Sequence, residues 1–167
     1  MLNEPGVRRA SGTPVIVATF VIAAWLEVLP LPEVLDVLRP EWMALVLIYW
    51  VIALPQRIGV FWGFFIGLFQ DVLTGTLLGQ HALAYVVVAY ITLLAYKRLR
   101  VFSPLQQSGV VFLLTGTAVL TTFTVQSIAR EAVQAPVQAL LPALVSAVLW
   151  RAVFVVLRQV RRQFWVR

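Results

Sequence analysis

The chain has 167 residues, 61% of them hydrophobic and 12% charged, with a mean hydropathy of +0.92 and a formal net charge of +6. A soluble domain of this length needs more polar surface, so the composition points to an integral membrane protein of one domain. With no cysteine and a single histidine, disulfides, thiolate metal sites and histidine-cluster metal sites are excluded, and no cofactor is expected.

In chain order, residues 1–13 read as a short cytoplasmic segment carrying Arg8 and Arg9. MLNEPGVRRASGTP before Val15–Leu26 resembles the basic start of a signal peptide. An uncleaved first span is the better reading, because Ala23-Ala24 is followed by Trp25 inside the same apolar run. Six spans follow, over 14–29, 41–55, 58–74, 80–96, 106–128 and 137–157, which together make a membrane domain over 14–157. Pro30 and Pro32 end the first; Arg39-Pro40-Glu41 opens the second, with the acid against the helix N-terminus; Pro55 closes it. Pro104 and Pro136 punctuate later loops. The uncharged runs Val72–Tyr96, Val101–Ala129 and Ala132–Trp150 approach or exceed the ~20 residues that cross a bilayer core. Spans two and three are short, so tilt, local thinning or burial in protein must accommodate them. Residues 158–167 form a basic tail, in which Arg158, Arg161 and Arg162 beside Trp165 suit the anionic inner leaflet. A nucleic-acid patch has similar composition but is the weaker reading in so apolar a chain.

The charges test the count. Six spans put Arg8, Arg9, Arg57, Lys97, Arg98, Arg100, Arg158, Arg161, Arg162 and Arg167 on one side. Arg39 and Arg130 fall on the other, with Glu33, Asp36, Glu41 and Glu131. Positive charge stays cytoplasmic, so both termini are expected inside. Five spans would expel one basic cluster. Trp25, Trp42, Trp50, Trp150 and Trp165 fall near span ends, as an interfacial aromatic belt would.

Packing chemistry outweighs reactive chemistry. Gly59, Gly63 and Gly67 are spaced in fours, a doubled GxxxG that lets another helix approach closely. Asp71 lies within span three, where an acid is a functional candidate by default. It could carry protons, hold a cation, or cap a helix break at Thr74–Gly79, where Gly75 and Gly79 supply the turn; the structural role is preferred. Thr117, Thr121 and Thr124 share one helical face, suited to interhelical hydrogen bonds or to the wall of a small polar cavity. His81 is read as an interface residue, and no nucleophile–base or paired-acid set accompanies it, so no catalytic residue is expected.

Residues 39–91 carry a family resemblance: Arg39-Pro40, Ile48-Tyr49-Trp50 running into Leu54-Pro55, Arg57, Gly63, Gly67, Asp71 through Gly75, and Leu78-Gly79. This pattern, with Gln106-Gln107 and the basic tail, resembles the rod shape-determining MreD family of the bacterial inner (cytoplasmic) membrane. The resemblance implies a non-enzymatic scaffold of the cell-elongation machinery that binds MreC and helps control cell shape and lateral peptidoglycan synthesis. It implies the MreB filament, a RodA-type SEDS glycosyltransferase and a class B penicillin-binding protein in the same complex. The implied fold is similar to the substrate-binding subunits of energy-coupling-factor transporters. That similarity keeps a second reading open, a transporter-like protein with a small-ligand pocket near Asp71.

Overall fold

A computed structural model describes residues 12–30, 32, 38–129 and 140–164. It is all-α. In chain order the helices are α1 (Thr13–Val28), α2 (Trp42–Ala53), α3 (Val60–Thr74), α4 (Gln80–Leu99), α5 (Pro104–Ala129) and α6 (Leu141–Gln163). Three of them, α4, α5 and α6, are long and apolar enough to cross a membrane; α1, α2 and α3 are shorter apolar helices. Each helix lies over an expected span. The last runs through Gln163, so Arg158, Arg161 and Arg162 sit on its final turns and not in a separate tail.

The shortness of α2 has a structural answer. Every residue from Met43 to Ala53 is buried. Packed against α1, α3, α4, α5 and α6, it forms the axis of the bundle. Its 12 residues span only ~18 Å, yet a helix walled in by protein needs no match to the hydrocarbon thickness. Arg100, just past α4, holds its C-terminus by donating to the carbonyls of Ile52 (2.9 Å) and Ala53 (3.0 Å). Those carbonyls have no partner inside the helix, and a cation suits that end of the dipole.

Two tryptophans expected in an interfacial belt are core residues. Trp50 and Trp150 are both fully buried. The indole of Trp50 donates to Thr19 Oγ1 (2.9 Å) and that of Trp150 to Gln107 Oε1 (3.2 Å). A buried indole needs an acceptor, and each was placed where a neighbouring helix supplies one. Trp25 is exposed, at 65%. Trp165 lies outside the described residues.

Within lipid the hydrophobic effect no longer drives helix association; close packing and interhelical hydrogen bonds do. The α3–α4 contact shows the first. A Cβ on Gly63 would come 2.6 Å from the backbone oxygen of Tyr85, and one on Gly67 would overlap the backbone of His81 and Ala82. Gly59 departs from the expected doubled motif. The Pro55–Ile58 turn delays the helix, so Gly59 is an extended N-cap and α3 begins at Val60. Only Gly63 and Gly67 share the helical face.

Charge segregates between the two ends of the bundle. Arg100 ties the C-terminal ends of α2 and α4 together, and Arg161 reaches Tyr49 from α6. Lys97 and Arg98 lie in the last turn of α4. At the opposite end, Ser146 of α6 accepts from the Glu41 N–H (2.9 Å), and Arg39 donates to the Leu29 carbonyl (2.9 Å).

Candidate functional site

The turn joining α3 to α4 is built around Asp71. Gly75 ends α3 with φ of 65° and Gly79 opens α4 with φ of 99°, both left-handed values that favour glycine. The Thr76 N–H closes the helix end onto the Asp71 carbonyl (3.1 Å). The side chain of Asp71 points back into the turn. Its Oδ1 accepts from Thr76 Oγ1 (3.1 Å), the His81 N–H (2.9 Å) and His81 Nδ1 (2.8 Å). Its Oδ2 accepts from the N–H groups of Gly79 (2.8 Å) and Ala82 (3.4 Å). Asp71 therefore caps the first turn of α4 from the end of α3. Its carboxylate is 0% exposed and His81 14%. Backbone donors at a helix N-terminus and an imidazole are what allow a carboxylate to be buried there.

The threonine stripe sits differently. Thr117, Thr121 and Thr124 each donate to a carbonyl one turn back in α5, at Leu113, Thr117 and Leu120 (2.7, 2.8 and 2.7 Å). Their hydroxyls are satisfied within the helix. Thr117 and Thr121 are half-buried and Thr124 is exposed. Arg158 and Arg162 are exposed at the basic end of α6, while Arg161 turns inward to Tyr49.

Two features had no sequence signature. The first is a polar layer beside the Asp71 turn. There Gln70 of α3 and the Trp42 N–H of α2 approach the Glu27 carboxylate of α1, with Arg39 and Glu41 close by. Tyr85 of α4 is fully buried and faces Glu41, Glu27 and Asp71. Glu27 is visible in the sequence as an acid late in the first span; its partners are not, because they come from three other helices. The second is a groove of about 290 Å³ between α1 and α6, floored by Trp42 and Val46 of α2. Ile22 and Leu26 form one wall, Val153 and Val156 the other. Among the described residues, no group of three histidine, aspartate or glutamate side chains is placed to hold a metal ion.

Fold and site together define an all-helical membrane protein whose buried polar groups join helices to one another. The family model described as rod shape-determining protein MreD matches residues 8–160. The rod shape-determining protein MreD of Haemophilus influenzae is 38% identical over 148 residues, covering 89% of this chain and 91% of its own length. No solved structure matches. The chain belongs to the MreD family of rod shape-determining proteins.

Proposed function

We propose that the protein is a non-enzymatic scaffold of the bacterial elongation machinery, spanning the inner membrane six times with both termini inside. In this reading it binds MreC directly and, through the complex, works beside MreB, a RodA-type SEDS glycosyltransferase and a class B penicillin-binding protein. Its fold then resembles that of the substrate-binding subunits of energy-coupling-factor transporters. The exposed Arg158 and Arg162 at the end of α6, with Trp165 following in the sequence, rest on anionic lipid.

The observation that carries the reading is the groove between α1 and α6. The central helix α2 is covered by α3, α4 and α5 on its other sides, but α1 packs mainly on α2 and α3 and leaves α6 apart. The wall of α6 from Leu149 to Val160 runs ~17 Å, and its lining is apolar, with Ile22 and Val156 more than half exposed. A single-span partner such as MreC presents an isolated helix of the matching chemistry. The Gly63–Gly67 face is occupied by α4 inside the chain; a second groove, between α5 and α6, carries Ser108 and Arg151 in its lining, so the apolar α1–α6 groove is the better match to a transmembrane helix.

The chain has no cysteine, so disulfide scanning starts from a clean background. Ile22→Cys and Val156→Cys should crosslink to cysteines along the transmembrane helix of MreC, in a pattern repeating every three to four residues. Phe61→Cys, exposed on α3, should not. Efficient crosslinking from Phe61 and none from the groove would sink the proposal.

A further inference from the structure

At the end of the bundle away from the basic cluster, three helices bury oxygen atoms that the Asp71 turn does not use. Gln70 is 1% exposed and Tyr85 0%. Glu27 Oε2, Gln70 Oε1 and the Tyr85 hydroxyl are enclosed without a hydrogen-bond partner. Gln80 Oε1, on the first turn of α4, is a fourth such oxygen. The Gln70 amide is oriented with its oxygen away from the Glu27 carboxyl. Its nitrogen donates to the Glu27 carboxylate, which leaves the amide oxygen without a partner.

Two properties of this layer select a guest. The first is its acceptor excess. Of the unpartnered groups, the Tyr85 O–H alone can donate unambiguously, and buried acceptors left unmatched are costly, more so in a membrane. The second is its charge. Glu27, Glu41 and Asp71 face Arg39 and His81. Asp71 is saturated by donors from its own turn. Arg39 lies beside Glu27 and donates to the Leu29 carbonyl. Buried beside each other, Glu27 and Glu41 cannot both stay ionised without taking up positive charge beyond that of Arg39. An anionic set of oxygen acceptors calls for a small hard cation. One carboxylate with neutral amide and hydroxyl oxygens suits a single charge. A divalent ion favours several carboxylates, and no three metal-ligating acids or histidines converge among the described residues.

We infer that this layer binds a small monovalent cation through Glu27 Oε2, Gln70 Oε1 and the Tyr85 hydroxyl oxygen, tying α1 to α3 and α4. The ion stabilises the position of α1, one wall of the groove. The site does not depend on what occupies that groove.

The test uses the full chain in detergent or nanodiscs, with sodium, potassium and N-methylglucamine chlorides at matched ionic strength. Sodium or potassium should raise the unfolding temperature saturably, by about 3–6 °C at ten times its dissociation constant. Trp42 emission should change over the same concentrations. Glu27→Gln and Tyr85→Phe should each abolish the ion-specific increment. Tyr85→Phe removes a single oxygen, so it carries the test if Glu27→Gln does not fold. The proposal is overturned by identical unfolding in all three salts. It is equally overturned by an increment that survives both substitutions. A response to pH with none to the ions would mean that a proton, and no cation, neutralises Glu27.

Discussion

An acid inside an apolar helix is expensive, and Asp71 shows how the cost is offset locally. Five donors, from Thr76, Gly79, His81 and Ala82, converge on its two oxygens. Its role is thus tied to the geometry of one turn. Asp71→Asn keeps the shape but turns an amide N–H₂ toward backbone N–H groups. Asp71→Leu removes every acceptor and leaves buried donors unmatched, at about 1–3 kcal/mol each. Both variants should lower the unfolding temperature, Leu by much the larger amount, and Asn should also loosen exchange protection of the Gly79 and Ala82 amides. Unchanged unfolding of Asp71→Leu would show that the turn does not need the carboxylate. Gly75 and Gly79 have open space where a Cβ would go. Their substitution by alanine should therefore cost only the left-handed backbone penalty, about 1–2 kcal/mol each. The acid, its glycines and the helix break were legible in the sequence because all the partners lie within 12 residues.

Between elements, spacing predicts contact only where the helix has already begun. Gly63 and Gly67 meet the backbone of α4, while Gly59 precedes α3 and a Cβ there would meet only the movable Leu93 side chain, at 3.2 Å. Gly63→Ala and Gly67→Ala should each destabilise by about 1–3 kcal/mol through forced separation of α3 and α4. Gly59→Ala should cost much less, because Leu93 can change rotamer. Unfolding of the three purified variants checks the order, and equal losses would refute it. The helices themselves were readable from apolar runs and prolines to within a few residues. The roles of Trp50 and Trp150 were not, since position near a span end cannot distinguish an interfacial indole from one whose N–H meets Thr19 or Gln107 of a neighbouring helix. The polar layer was illegible for the same reason. Glu27, Glu41, Gln70 and Tyr85 stand on separate segments with no spacing to join them.

For the molecule as a whole, the separation of charge makes a prediction that no single contact does. Arg57, Lys97, Arg98, Arg100, Arg158, Arg161 and Arg162 belong to the end where α2 and α4 terminate; the other end has Arg39 with Glu27, Glu41 and Asp71. Lysine and arginine near span ends resist translocation, so this asymmetry fixes orientation more strongly than any one loop. Single cysteines report it directly. Gln56 and Ser103 are exposed at the basic end, and Leu78 is 73% exposed in the opposite turn. In cells with a permeable outer membrane and an intact inner one, an impermeant maleimide should label Leu78→Cys and spare Gln56→Cys and Ser103→Cys until the inner membrane is opened. The short α2 sharpens the test. Its ~18 Å is less than a hydrocarbon core of ~30 Å, so a bundle in which α2 stopped halfway would leave Gln56 at an intermediate depth, slow to label from either side. A fast, one-sided reaction at Gln56 means that the surrounding protein carries the chain across where α2 alone is too short. Labelling of Gln56→Cys in intact cells would reverse the topology and place the basic end of α6 away from the cytoplasmic leaflet.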